Sequence, residues 1–115
     1  MSYDIALYRK GLKNKKDAYY DYDGNITYNV YKMLEVAFGQ EHLKKWNGLT
    51  CDKFFKEFEE GYLDMCKNPE KYKQYDSPNG WGTYETTFKS IQDLYVAIKK
   101  YAEIDRLENL YLEFI

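Results

Sequence analysis

A chain of 115 residues with 44% hydrophobic and 19% aromatic content is long enough to bury a core and too apolar for intrinsic disorder, so one domain is expected over 1–115. Its 17 basic and 19 acidic residues nearly cancel to a net charge of −2, which argues against general nucleic-acid binding and against a membrane-surface protein. No apolar run reaches transmembrane length, and the start Met1-Ser2-Tyr3-Asp4 lacks a signal-peptide pattern, so a cytoplasmic setting is expected.

In chain order, Tyr3 to Tyr8 alternates, with Tyr3, Ile5 and Leu7 on one side, and predicts a strand. Residues 9–17 read as a basic, solvated loop. The runs 18–22 and 25–28 flank Asp23-Gly24, a pair suited to a type I′ turn, and predict a hairpin. Asn29 is the expected N-cap of a helix carrying Val30, Met33, Leu34, Ala37 and Phe38, closed by Gly39. Residues 41–46 predict one or two further turns, ended by Asn47-Gly48. Thr50 then caps a helix whose apolar face is Cys51, Phe54, Phe55, Phe58, Tyr62 and Met65, and Asn68-Pro69 stops it. Residues 69–76 predict at most a short turn, and 77–83 a loop. The most regular segment runs from about Tyr84 to Ala102, with a stripe of Tyr84, Phe88, Ile91, Tyr95 and Ile98. Residues 108–114 alternate again, with Leu110, Leu112 and Phe114 on one face, as a C-terminal strand. Strands at the ends and helices between them predict an α+β fold. The terminal strands pair side by side in a small antiparallel or mixed sheet, covered on one face by about three helices. Exposed tyrosines and a C-terminal edge strand leave pairing of two copies across a two-fold axis open.

Little in the sequence carries catalytic chemistry. The single histidine, His42, sits in Gln40-Glu41-His42-Leu43-Lys44 and reads as a surface residue. Glu59-Glu60 lies on a polar helix face, and no nucleophile elbow, Walker or dinucleotide-binding pattern occurs. Cys51 and Cys66, fifteen positions apart in one predicted helix, would lie about 22 Å apart, too far to bond. No metal-ligand spacing is present. Neither an enzyme nor a cofactor is expected.

Two stretches place polar groups beside aromatics at a helix start: Asn25-Ile26-Thr27-Tyr28-Asn29 and Asn79-Gly80-Trp81-Gly82-Thr83-Tyr84. Helix N-termini present unpaired N–H groups and partial positive charge. If both starts share one rim, Asn25, Thr27, Asn29, Asn79, Trp81 and Tyr84 form one ligand- or partner-binding patch. The structural alternative, favoured for both stretches, makes Asn29 and Thr83 caps, Asn79-Gly80 a turn, and Trp81 a lid over the core.

The pattern Gly24-Asn25-Ile26-Thr27-Tyr28-Asn29-Val30-Tyr31-Lys32-Met33, followed by Pro78-Asn79-Gly80-Trp81-Gly82-Thr83-Tyr84-Glu85, resembles a family of small bacteriophage and prophage proteins without an assigned function. The resemblance spans nearly the whole chain. It departs after Glu85, where the family tends to a small residue and this chain has Thr86-Thr87, and in a longer link from the last helix to the last strand. It implies a phage setting and transfers no catalytic residue. The expected function is a non-enzymatic accessory protein that binds a host or phage protein, for instance as an inhibitor of a host defence protein. The alternative is a binder of a small, nucleotide-like ligand at the two helix starts, with Trp81 stacking on a base.

Overall fold

The computed structural model describes residues 2–9 and 20–115. The alternation of Tyr3, Ile5 and Leu7 forms β1 (Ser2–Arg9), with these three buried and Asp4 on the opposite face. Leu110, Leu112 and Phe114 do the same in β3 (Leu110–Phe114). The third strand is β2 (Gly24–Thr27). The sheet order is β2-β1-β3, with both pairings antiparallel. The terminal strands are therefore neighbours, as expected, from Ile5 opposite Phe114 to Arg9 opposite Leu110.

The predicted hairpin does not form. β2 pairs with the first half of β1, Ser2 opposite Thr27 through Ile5 opposite Gly24, and Tyr20–Asp23 is not a strand; residues 18 and 19 lie outside the described segment, as does the predicted basic loop beyond Arg9. Two physical reasons decide this. Pairing with β1 brings Ile26 onto the core face beside Tyr3 and Ile5, which a local hairpin could not do. Gly24 is used for closeness rather than for a turn, because the Tyr22 hydroxyl and ring occupy the space a Cβ would need.

Four α-helices cover the core face of the sheet: α1 (Tyr31–Phe38), α2 (Phe55–Lys67), α3 (Pro69–Lys73) and α4 (Tyr84–Asp105). The fold is α+β. Gly39 closes α1 with φ +85°, as its position predicts. Gly61 lets α1 approach α2, since a Cβ there would lie 2.5 Å from the Phe38 ring and 2.6 Å from the Ala37 carbonyl. Among the described residues no helix is long and apolar enough to cross a membrane.

Several local expectations change. Thr27, not Asn29, caps the 3₁₀ turn Tyr28–Val30, accepting from the Asn29 N–H at 3.4 Å. Cys51 and Cys66 do not share a helix: Cys51 is buried in the 3₁₀ turn Cys51–Lys53, the chain breaks at Phe54, and Cys66 is exposed on α2. Thr50 stands at the N-cap of that turn without a side-chain cap, and its backbone bridges Tyr111. That bridge belongs to a cover over β3: Gly48 N–H donates to Leu112 O at 2.8 Å, Leu112 N–H to Leu49 O at 3.1 Å, and Phe114 N–H to Asn47 Oδ1 at 2.9 Å. The C-terminal strand thus lacks the free edge that two-fold pairing would use. His42 is not a surface residue either: it is 2% exposed and packs edge-on against Tyr3 and Phe114.

The tyrosines have a structural use. Tyr72, Tyr84, Phe88, Tyr62, Tyr95 and Phe55 stack ring to ring between α2, α3 and α4, with successive centroids 4.5–6.4 Å apart. Their hydroxyls reach the rim of this ladder and find partners, as buried tyrosines require. Tyr95 donates to Glu59 at 2.6 Å, Tyr84 to the Met65 carbonyl at 2.5 Å, and Tyr72 to Asp64.

Candidate functional site

The two polar-aromatic stretches meet. The loop Ser77–Thr83 is fixed from inside by Asn79, whose Oδ1 accepts from Trp81 N–H at 2.9 Å and from Ser77 Oγ at 2.5 Å. Ser77 N–H donates to Gly82 O at 2.9 Å. Gly80 and Gly82 take φ of +78° and +110°, which is why this bend carries two glycines. From outside, Asn29 Nδ2 donates to Trp81 O at 2.9 Å. Gly82 also presses against β2 and the following turn, where a Cβ would lie 2.8 Å from Val30 Cγ1 and 2.9 Å from Thr27 Cγ2.

The predicted site residues separate into distinct roles. Trp81 is 72% exposed, so the lid reading fails: the two glycines and the Asn79 turn carry its ring away from the core, and Gly82 takes the close-packed position instead. Tyr84 is 8% exposed and belongs to the ring ladder, so it is not a contact residue; it also stands first in the apolar stripe of α4, and that role prevails. Asn79 spends its carbonyl on the loop. Asn25 sits opposite Asp4 on the open face of the sheet, donating to Asp4 Oδ1 and Ser2 Oγ at 2.9 Å each, while its backbone carbonyl accepts from Ser90 Oγ at 3.3 Å.

Between β2 and α4 lies a cavity of about 170 Å³, bordered by Asn25, Ile26 and Thr27 on one side and Gly82, Thr86, Thr87 and Ser90 on the other. Its lining carries hydroxyls and amides and no charge. The first turn of α4 beside it already has acceptors on the N–H groups of Tyr84, Thr86 and Thr87. Asp76 Oδ1 accepts from Tyr84 N–H at 2.7 Å, and Thr83 and Thr86 form a reciprocal capping box. The Asp76 carboxylate therefore already sits at the positive end of the helix.

A second group escapes the sequence reading. Tyr3, Tyr31, Glu35, Glu41, His42 and Lys44 border a hollow of about 160 Å³ between β1 and the end of α1. Burial lowers the His42 pKa, with Lys44 acting in the same direction and Glu35 and Glu41 against it, so the imidazole is neutral at pH 7. Comparison with protein families, with characterised proteins and with solved structures finds no match for this chain.

Proposed function

We propose that this chain is a non-enzymatic binding protein that engages a protein partner through Trp81. One observation carries the reading: a tryptophan 72% exposed on a loop held by hydrogen bonds within itself and to Asn29. Tryptophan is the side chain most enriched among residues that dominate binding energy, and a loop ordered in advance loses little entropy on association. Tyr28 and Tyr31 add exposed aromatic surface on the turn that Asn29 ties to Trp81. The phage or prophage setting, and a role as inhibitor of a host defence protein, rest on the resemblance carried by the Gly24–Met33 and Pro78–Glu85 patterns.

The test is affinity capture from bacterial lysate with the native chain and with Trp81→Ala in parallel. The expected result is a specific partner held by the native protein and at least about tenfold more weakly by the variant. Equal recovery by both, or no specific partner for the native chain, overturns the reading.

A second reading, a small ligand at the junction of the two stretches, is favoured by the cavity between β2 and α4. Its uncharged lining suits a neutral hydrogen-bonding group such as a nucleobase edge better than a phosphate. Adenosine and AMP distinguish these in a thermal-shift titration: stabilisation by the nucleoside at least equal to that by the nucleotide is expected, and no shift with either removes the reading.

A further inference from the structure

We propose that the hollow bordered by Tyr3, Tyr31, Glu35, Glu41, His42 and Lys44 binds a small organic cation, an alkylammonium or guanidinium group. It shares no lining residue with the Trp81 loop or with the cavity beside it, and adjoins the aromatic surface proposed above only at Tyr31.

Four observations converge on this hollow. Its floor is built and rigid: Tyr3 and His42 are both buried, their rings meet edge-on at 5.2 Å, and Tyr28 lies against Tyr3 at 4.2 Å. Its backbone is strained, because Glu41 and His42 are consecutive non-glycine residues at φ +68° and +35°. Such conformations persist where the surrounding structure enforces them, and they cluster at ligand sites. Here the turn puts the Glu41 carboxylate on the rim and lets Glu41 N–H donate to Glu35 Oε2 at 3.4 Å. Third, His42, although 2% exposed, has an Nδ1 atom with no hydrogen-bond partner. A buried polar atom without a partner calls for an explanation, and of the four such atoms among the described residues this one belongs to a residue that lines the hollow.

The fourth observation selects the ligand. The lining holds two carboxylates against one ammonium, and its histidine is neutral. Burial, above all, holds the Tyr3 hydroxyl pKa above its ordinary value, with Glu41 and Glu35 among the groups that push it the same way, so the hydroxyl stays protonated and the charge of the lining is that of its two carboxylates and one ammonium. Tyrosine faces within reach of carboxylates are the surroundings that desolvated organic cations prefer. Lys44, on the exposed rim, makes no ion pair among the described residues and is the one positive charge in the lining. A volume of about 160 Å³ admits a short alkylammonium or a guanidinium head.

The experiment is a heteronuclear NMR titration of the full chain at constant ionic strength, following His42, Tyr3 and Tyr31. The probes are butylammonium and ethylguanidinium, with butanol as the neutral and butyrate as the anionic counterpart. Saturable shifts with the two cations alone are expected, weakened at least tenfold in Glu35→Gln/Glu41→Gln. Saturation by butanol or butyrate, or an unchanged affinity in that double variant, overturns the proposal. Should the double variant not fold, Lys44→Glu takes its place: it must tighten binding of both cations, and equal or weaker binding overturns the proposal. N-acetyl-lysine methylamide and N-acetyl-arginine methylamide then identify the source. Tighter binding of either than of the free cations assigns a basic side chain of a peptide, and equal or weaker binding assigns a free amine.

Discussion

Single residues set the shape of both sites. Gly82 and Gly80 form an internal comparison, since both hold positive φ but only Gly82 is crowded; at Gly80 no atom lies within 4 Å of the place a Cβ would take. Gly80→Ala is expected to cost only the backbone strain, about 1 kcal/mol. Gly82→Ala adds contacts below 3 Å with Val30 and Thr27, and should cost about 2–4 kcal/mol and detach the loop from β2. Urea denaturation of the two variants checks the ordering. His42 makes a separate prediction in pH. Its folded pKa is lowered, so the unfolded chain binds its proton more readily. The stability it contributes is complete above the unfolded value of about 6.5 and is lost as pH falls toward the folded value. The thermal midpoint should drop between pH 7 and pH 5.5. In His42→Asn, a residue that tolerates the left-handed backbone, that drop should flatten; a native profile flat over the same range contradicts the assignment.

At the scale of elements, the caps and edge covers are where small changes matter. Thr83→Ala removes the acceptor for Thr86 N–H and half of the capping box, and should cost about 1 kcal/mol in chemical denaturation. Asn47→Ala removes the side chain that covers Phe114 N–H at the edge of β3. It should cost about 1 kcal/mol and raise self-association at high concentration, as light scattering would show. The elements also show how far the sequence can be read. Helices α1, α2 and α4 and strands β1 and β3 announce themselves because their apolar periods are local: Ile91, Leu94 and Ile98 on α4, or Leu110, Leu112 and Phe114 on β3, need no partner to be recognised. The partner of β2 is not local, and Asp23-Gly24 favours a turn that the wider packing overrides. The meeting of Asn25–Asn29 with Asn79–Trp81 is legible as shared composition, whereas the direction of Trp81 is not. A tryptophan between two glycines reads the same whether its ring turns inward or outward, and only the contact of Gly82 with Val30 decides it. The hollow at His42 depends on two left-handed residues that no glycine or asparagine signals.

For the whole molecule, the radius of gyration of 14.0 Å is close to the roughly 13 Å of a compact domain this long, and the central strand is the one nearest the N-terminus. β1 holds β2 on one side and β3 on the other, so ending the chain after Asn109 strips β1 of one neighbour and the core of Leu110, Leu112 and Phe114. That truncated chain should show no cooperative unfolding transition, by circular dichroism against temperature, and a sharp transition would refute this dependence. The closing contact is reciprocal: Asp4 N–H donates to Ile115 O at 2.7 Å and Ile115 N–H to Asp4 O at 2.9 Å. β1 and β3 stand at opposite ends of the described fold, with every helix between them in sequence. Their pairing is therefore the contact of greatest sequence separation in the sheet, and until it forms one edge of β1 has no partner strand. Refolding should for that reason be slow for a chain this helical.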